Sequence, residues 1–162
     1  MFASKDQLLL RLRELGIDAA THQHPAVFTV EEAQKHCSHL PGGHCKNLFL
    51  RDKKKRNWLI VTLNDTQIDL RSLGRQLGAG NFNFASPERL MEFLGVIPGS
   101  VTPLALINDS EQQVNVVLDK ALFGFDLLNF HPLVNNATTA ITPDDLLKFI
   151  RACGHQPKIV AL

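Results

Sequence analysis

Two apolar runs joined by a short charged segment most strongly constrain the fold of this 162-residue chain. Residues 44–51 and 57–64 are rich in apolar, β-branched and aromatic side chains that favour strands. Every residue of the intervening segment, 52–56, is charged. Two strand-like runs connected by a short polar turn are typical of a β-hairpin. The sequence therefore predicts an antiparallel pair of strands here.

Helix-start signals recur along the rest of the chain. Ser4 and Thr29 are each followed three residues later by Gln or Glu, which is the arrangement of a capping box. Asp69, Ser86 and Thr142 also occupy N-cap positions, and proline follows the last two. Counted from each N-cap to its terminating residue, the predicted helices cover 4–16, 29–37, 69–78, 86–95 and 142–154.

Shorter apolar runs predict further extended segments at 17–24, 104–107, 114–118, 127–130, 138–141 and 159–162. Helices and strands thus alternate irregularly. We expect an α+β or mixed α/β fold, with a mostly antiparallel or mixed central sheet flanked by helices. No repeat and no low-complexity linker interrupts the chain, so residues 1–162 are predicted to form a single domain.

Composition excludes several classes of protein. Hydrophobic residues make up 44% and charged residues 20%, which argues against disorder, coiled coil and collagen. No apolar run approaches the roughly 18 residues of a membrane span, and we find no signal peptide, so no membrane partner is expected. A net charge of +1 does not favour broad wrapping of nucleic acid, although contact with one end of an RNA remains open. Three cysteines favour a reducing compartment, and we predict a cytoplasmic protein.

A cluster of His36, Cys37, His39, His44 and Cys45 resembles a metal site only superficially. Its spacing matches no zinc ribbon or finger, so we expect no metal. The chain has no phosphate-binding P-loop and no dinucleotide fingerprint, and no cofactor is expected. Cys45 as a nucleophile would need a nearby base and a lowered pKa, and the sequence shows neither.

Three other places are candidates for chemistry. Lys46 and Asn47 follow a glycine-rich loop at the start of a strand. The loop 99–103 holds a glycine and a proline, which suits close approach of a carboxyl or phosphoryl oxygen. His131 stands at a strand end before a proline. Each also has a structural interpretation: a snorkelling lysine, an ordinary loop, and a histidine satisfied in the core.

Taken together, five strings in order along the chain resemble the YbaK/ProRS-associated editing superfamily. They are Cys45–Leu50 (CKNLFL), Gly99–Pro103 (GSVTP), Leu106–Asp109 (LIND), Val116–Lys120 (VVLDK) and Asn129–Asn135 (NFHPLVN). The likeness runs from about residue 4 to residue 162. Asn47 beside the lysine is similar to the alanine-specific branch, the freestanding Ala-tRNA(Pro) deacylases, rather than to the branch that acts on Cys-tRNA(Pro).

The resemblance implies a trans-editing hydrolase. A synthetase pocket built for proline cannot strongly reject the smaller alanine, and a second site then hydrolyses mischarged Ala-tRNA(Pro) while sparing Pro-tRNA(Pro). The implied partner is the acceptor end of mischarged tRNA(Pro), and an association with prolyl-tRNA synthetase is left open. No covalent nucleophile is implied, because the family is thought to position a water with help from a ribose hydroxyl of the substrate.

The resemblance also assigns roles to residues. The implied catalytic residues are Lys46, Asn47, Gly99 and His131, and the implied substrate-binding residues are Thr29, Val30, Ser100, Val101, Thr102 and Pro103. Lys46 would hold the terminal phosphate or the carbonyl oxygen, and Asn47 would orient the aminoacyl group. The backbone of the loop 99–103 would position the ester and stabilise the oxyanion, and His131 would fix the substrate's geometry.

Two alternatives stay open at this point. In the first, the chain is still an aminoacyl-tRNA deacylase, but the amino acid that it removes from tRNA is cysteine, serine or another small residue. In the second, the chain is a noncatalytic module that binds tRNA or a synthetase.

Overall fold

The computed structural model of the chain describes residues 2–37 and 39–162, and at Val30, Ala33 and Gln34 only the main chain. The helices are α1 (Lys5–Glu14), α2 (Val30–Cys37), α3 (Leu70–Leu77), α4 (Pro87–Leu94) and α5 (Pro143–Ala152). The strands are β1 (Ala20–Gln23), β2 (Gly43–Arg51), β3 (Asn57–Leu63), β4 (Asn83–Phe84), β5 (Val114–Asp119), β6 (Leu128–Phe130), β7 (Ala137–Ile141) and β8 (Lys158–Val160). Two 3₁₀ helices cover Pro103–Asn108 and Lys120–Gly124.

The five α-helices begin where the capping signals predict. The Ser4 hydroxyl accepts the N–H of Gln7 at 3.2 Å, and the Gln7 side chain accepts the N–H of Ser4 at 2.8 Å. The Thr29 hydroxyl accepts the N–H of Glu32 at 3.1 Å. Asp69, Ser86 and Thr142 accept N–H groups of their own first turns in the same way. Each cap satisfies a main-chain donor that the helix itself leaves free, and these predictions are confirmed.

The predicted hairpin is also confirmed, and a buried carboxylate closes its turn. β2 and β3 pair antiparallel from Cys45 opposite Leu63 to Arg51 opposite Asn57. Asp52 accepts the N–H groups of Lys54 (2.9 Å) and Arg56 (2.8 Å), and it also accepts the indole N–H of Trp58 (3.0 Å). Burial raises the pKa of Asp52, but the hydrogen bonds from Trp58 and from the main chain and side chain of Arg56, together with the charge of Arg56, outweigh it and hold the pKa below its ordinary value.

The eight strands form one mixed sheet. Its order is β1-β7-β6-β2-β3-β5-β8, with the short β4 attached to the far end of β2. The pairs β2/β6, β3/β5 and β5/β8 are parallel, and the other pairs are antiparallel. This is the mixed α/β class that the sequence predicts. No helix within 2–37 or 39–162 is long and apolar enough to cross a membrane.

Side chains that alternate along the central strands build an apolar cluster on each face of the sheet. Leu59 and Val61 of β3 belong to a large cluster that also contains residues of α1, α4 and α5. Trp58 and Ile60 belong to a smaller cluster against α3. This period of two is the ordinary geometry of a strand buried on both faces.

One predicted strand is wrong. Residues 104–107 lie inside the 3₁₀ helix Pro103–Asn108. The Thr102 hydroxyl accepts the N–H of Leu104 at 3.2 Å, and Pro103 fixes the φ angle of the first helical position. Leu104, Ala105 and Leu106 are fully buried in succession, without the alternation of a half-exposed strand. A short apolar run does not by itself distinguish a strand from a buried helix.

The remaining differences are small. The final strand is Lys158–Val160 rather than 159–162, and the extended segment 17–24 forms a strand only over Ala20–Gln23. The two-residue β4 and the 3₁₀ helix Lys120–Gly124 were not predicted. Both are too short to leave a periodic pattern in the sequence.

Candidate functional site

A cavity of about 730 Å³ lies at the point where β6 leaves β2. Five segments of the chain and three separate residues line it: 27–29, 42–47, 63–66, the loop at Gly99 and Val101, and 129–131, with Cys37, Phe125 and Thr138. Most of these segments are loops or strand ends held by the sheet, an arrangement common in binding sites.

The edge of β2 is open beside this cavity. On the edge opposite β3, β2 pairs with β6 only at Gly43 and His44, and with β4 only at Leu50 and Arg51. The N–H of Asn64 donates to the carbonyl of His44 at 2.8 Å. In an antiparallel pair, this register turns the main-chain groups of Asn47 away from β3 and toward the open edge.

Lys46 and Asn47 lie on opposite faces of β2. Asn47 shares its face with Phe49 of the large cluster, whereas Lys46 shares its face with Leu48 and Leu50 of the small one. Both residues nevertheless line the cavity, because the cavity follows the open edge of the strand.

Asn47 is linked directly to the predicted loop. Its side-chain N–H donates to the carbonyl of Val101 at 3.1 Å. This bond joins β2 to the loop 99–103 across 54 residues of sequence. Two of the predicted site segments are therefore in contact.

Within that loop, only part of the chain reaches the cavity. Gly99, with φ of +92°, and Val101 line it, whereas Ser100, Thr102 and Pro103 are buried behind them. The N–H of Ser100 already donates to the carbonyl of Ile97 at 3.0 Å. Substrate contact by Ser100, Thr102 and Pro103 stays a prediction, and their observed contacts support the loop.

His131 also lines the cavity, and it is held there as a neutral acceptor. Its Nδ1 lies 3.0 Å from the carbonyl of Ala137, so Nδ1 carries the proton and donates. Burial lowers the pKa of His131; the bond to Ala137 opposes this effect, and His24, with ring centroids 6.4 Å apart, adds to it. With a pKa below its ordinary value, the imidazole is largely neutral near pH 7, and its Nε2 can accept a hydrogen bond.

Thr29, predicted to bind substrate, lines the cavity at the start of α2. The side chain of Val30 lies outside the described residues.

Within the cysteine and histidine cluster, Cys37, His44 and Cys45 make structural contacts. Burial raises the pKa of Cys45 to about 12, despite a hydrogen bond from the N–H of Asn129. The thiol is therefore not a nucleophile near neutral pH. His44 donates to the carbonyl of Leu40 at 3.1 Å. In the described part of the chain, no three His, Cys, Asp or Glu side chains are grouped so as to hold a metal ion.

One wall of the cavity was not predicted as part of the site. The side-chain amide of Asn129 donates to the carbonyls of Pro41 (3.0 Å) and Gly43 (3.2 Å) and so holds the glycine loop against β6. Asn129 is the first residue of the NFHPLVN string, so a signal was present. The exposed Phe28 and Phe125 at the cavity were also missed, because a phenylalanine outside a periodic run carries no positional signal.

Comparisons with known proteins show the family and the fold of this chain. The chain belongs to the family described as the aminoacyl-tRNA editing domain, whose model matches residues 24–149.

Among individual proteins, the chain is 46% identical over 159 residues to "Prolyl-tRNA synthetase associated domain-containing protein 1" of Mus musculus, covering 95% of this chain and 94% of that one. It is 36% identical over 160 residues to "Prolyl-tRNA editing protein ProX" of Acetoanaerobium sticklandii, covering 98% of each chain. A solved structure described as a candidate trans-editing enzyme for prolyl tRNA synthetase superposes with a TM-score of 0.72 at 22% identity, covering 98% of each chain, and shares the fold.

Proposed function

We propose that this protein is a trans-editing deacylase that hydrolyses the ester of mischarged Ala-tRNA(Pro) and spares Pro-tRNA(Pro). The name of the relative from Acetoanaerobium sticklandii supports editing of prolyl-tRNA. Alanine specificity is supported by the resemblance at the Lys46-Asn47 pair.

The observation that carries the proposal is the bond between Asn47 and Val101. It joins the strand that carries Lys46 and Asn47 to the loop 99–103 at one cavity, which His131 also lines. A volume of about 730 Å³ lies in the range of small-ligand pockets, and it suits an aminoacyl group with its terminal nucleoside.

The roles follow from the chemistry of each group. Lys46 supplies the cation for the terminal phosphate or the ester carbonyl oxygen. The N–H groups of Gly99 and Val101 make no hydrogen bond within the described residues, so they are free to stabilise the oxyanion, whereas Ser100 is already bonded and Pro103 has no N–H.

The attacking group in this proposal is a water molecule. The raised pKa of Cys45 makes covalent attack by its thiol unfavourable. His131 accepts a hydrogen bond at Nε2 and so orients a substrate hydroxyl or the water. Positioning alone supplies several kcal/mol of barrier reduction in well-oriented reactions, so a site without a nucleophile is adequate.

Hydrolysis of tRNA(Pro) charged with alanine, cysteine, serine or proline tests the proposal. We expect release of alanine and retention of proline. Faster hydrolysis of tRNA(Pro) charged with cysteine or serine would show that this amino acid, and not alanine, defines the substrate. Binding of tRNA without hydrolysis of any ester would leave only a noncatalytic module.

Lys46→Ala is expected to reduce hydrolysis of Ala-tRNA(Pro) by at least about 100-fold, because it removes a charge from the reacting end of the substrate. Lys54→Ala, at the exposed tip of the hairpin, is the matched control and should keep the wild-type rate. Thermal unfolding of both variants checks that they fold. Full activity of a folded Lys46→Ala protein would show that the role given to Lys46 is wrong.

We also propose that the acceptor end of tRNA(Pro), and in the cell prolyl-tRNA synthetase, are the partners. Three free cysteines support a cytoplasmic location. One domain over residues 1–162 is supported by β1 and β8, which pair into the sheet although both strands lie outside the matched range 24–149.

A further inference from the structure

The side-chain amide of Asn47 is satisfied at one end only. Its nitrogen donates to the carbonyl of Val101 at 3.1 Å. Since a carbonyl oxygen only accepts, this contact fixes which end of the amide is the nitrogen. The other end, Oδ1, is buried and has no hydrogen-bond partner within the described residues.

The neighbouring groups do not supply the missing donor. The hydroxyl of Ser100, next to Val101, is itself buried and unpartnered, so it does not donate to Asn47. Lys46 lies on the other face of β2, so its position does not favour Oδ1. Buried acceptors in folded proteins nearly always have a donor, and Asn47 lines the cavity, so its unpaired oxygen is available to a donor on the ligand.

An aminoacyl ester offers one strong donor close to its carbonyl group. The carbonyl and ester oxygens only accept, and the methyl group of alanine makes no hydrogen bond, whereas the α-ammonium carries three N–H donors and a charge. Asp65 is the one carboxylate among the described residues that line the cavity, and it is exposed to solvent. Asn47 Oδ1 is therefore the buried acceptor suited to an ammonium.

The geometry points to Asn47 Oδ1 as the acceptor of the α-ammonium of the aminoacyl group. This inference rests on the proposed function and narrows its substrate class. The site takes esters of amino acids with a free amino group, and it discriminates against hydroxyacyl esters and N-acylated, peptidyl-like esters.

Two esters of equal size test the inference. Wild-type protein is assayed with alanyl-tRNA(Pro) and with lactyl-tRNA(Pro), in which a hydroxyl replaces the amine. Each rate is divided by the uncatalysed rate of the same ester, because an α-ammonium itself activates the ester. We expect kcat/KM to favour the alanyl ester by about tenfold or more, the effect of one hydrogen bond to a charged group. N-acetylalanyl-tRNA(Pro) should be hydrolysed more slowly still.

Asn47→Ala separates recognition of the ammonium from support of the loop. Loss of the Val101 contact disturbs the site for both esters equally, whereas loss of Oδ1 slows the alanyl ester more than the lactyl ester, because the lactyl hydroxyl donates only an uncharged hydrogen bond. We expect the preference for the alanyl ester to fall close to one. Asp65→Asn is the matched control and should keep the wild-type preference.

The outcomes distinguish the possibilities. Equal corrected rates of the two esters with wild-type protein overturn the inference alone, and this comparison needs no folded variant. An equal slowing of both esters by Asn47→Ala, or loss of the preference in Asp65→Asn, also overturns it. No hydrolysis of either ester by wild-type protein overturns the proposed function and this inference with it.

Discussion

Cys45 shows how burial decides the chemistry of a single residue. It lies at the cavity beside Lys46, where a reactive thiol would suggest covalent catalysis, yet its pKa is raised to about 12. We expect Cys45→Ala to keep hydrolysis of Ala-tRNA(Pro) within about threefold of wild type, since the thiol remains protonated near neutral pH. Iodoacetamide should label Cys45 slowly in native protein and rapidly after unfolding, as followed by mass spectrometry.

Cys153 is the matched thiol for this experiment, because burial raises its pKa to about 11 at a position outside the cavity. A folded Cys45→Ala protein that loses activity by about 100-fold would contradict the prediction and would indicate that the Cys45 thiol is a nucleophile.

At the scale of elements, the loop before β2 depends on close backbone contact. Gly42 has φ of +101°, and a Cβ added there would lie 2.6 Å from the carbonyl oxygen of Leu127. We expect Gly42→Ala to lower the free energy of unfolding by about 2–4 kcal/mol, from the unfavourable φ and the overlap together. Hydrolysis should fall as well, because the same loop lines the cavity. Urea unfolding and the deacylation assay measure the two effects.

Gly78→Ala provides the comparison, since Gly78 has φ of +67° but open space around it. Its expected cost is about 1 kcal/mol, with hydrolysis unchanged. An equal loss of unfolding free energy in the two variants would show that overlap with Leu127 adds nothing to the cost of Gly42→Ala.

Elements with local signals were predictable from sequence, and those set by tertiary contacts were not. The capping residues Ser4 and Thr142 fix helix starts through bonds to their own first turns. The helix Pro103–Asn108 instead forms where an apolar run is buried on all sides, so its hydrophobic pattern was ambiguous. In the site, the order of the motifs predicted that Lys46, Asn47 and His131 belong together. The bond from Asn47 to Val101 depends on the folded chain and could not be predicted from the sequence.

At the scale of the whole molecule, a buried pair ties the end of the chain to its middle. His155, before β8, lies 2.8 Å from Asp109, before β5. Burial raises the pKa of Asp109, but hydrogen bonds from His155, Gln113 and Val114 outweigh it, and the pKa lies below its ordinary value. The native pKa is therefore below that of the unfolded chain. The stabilisation is present above about pH 4 and is lost as pH falls through the native pKa.

We therefore expect Asp109→Asn to be less stable than wild type by about 1–3 kcal/mol near neutral pH, and to lose less stability on acidification. Urea unfolding at several pH values measures both. Asp126→Asn, at an exposed position, should behave as wild type. A parallel loss of stability in wild type and Asp109→Asn below pH 4 would contradict the prediction.

The unpaired edge of β2 between its contacts with β6 and β4 has a further consequence. An exposed row of main-chain donors and acceptors is a template on which strands of other molecules can add, and such growth leads to aggregates. Here the stretch is short, borders a recess and carries a lysine, and each of these features opposes intermolecular pairing. We therefore expect Lys46 to oppose strand addition at this edge, and preparations in which it is replaced need to be monodisperse before their turnover is compared.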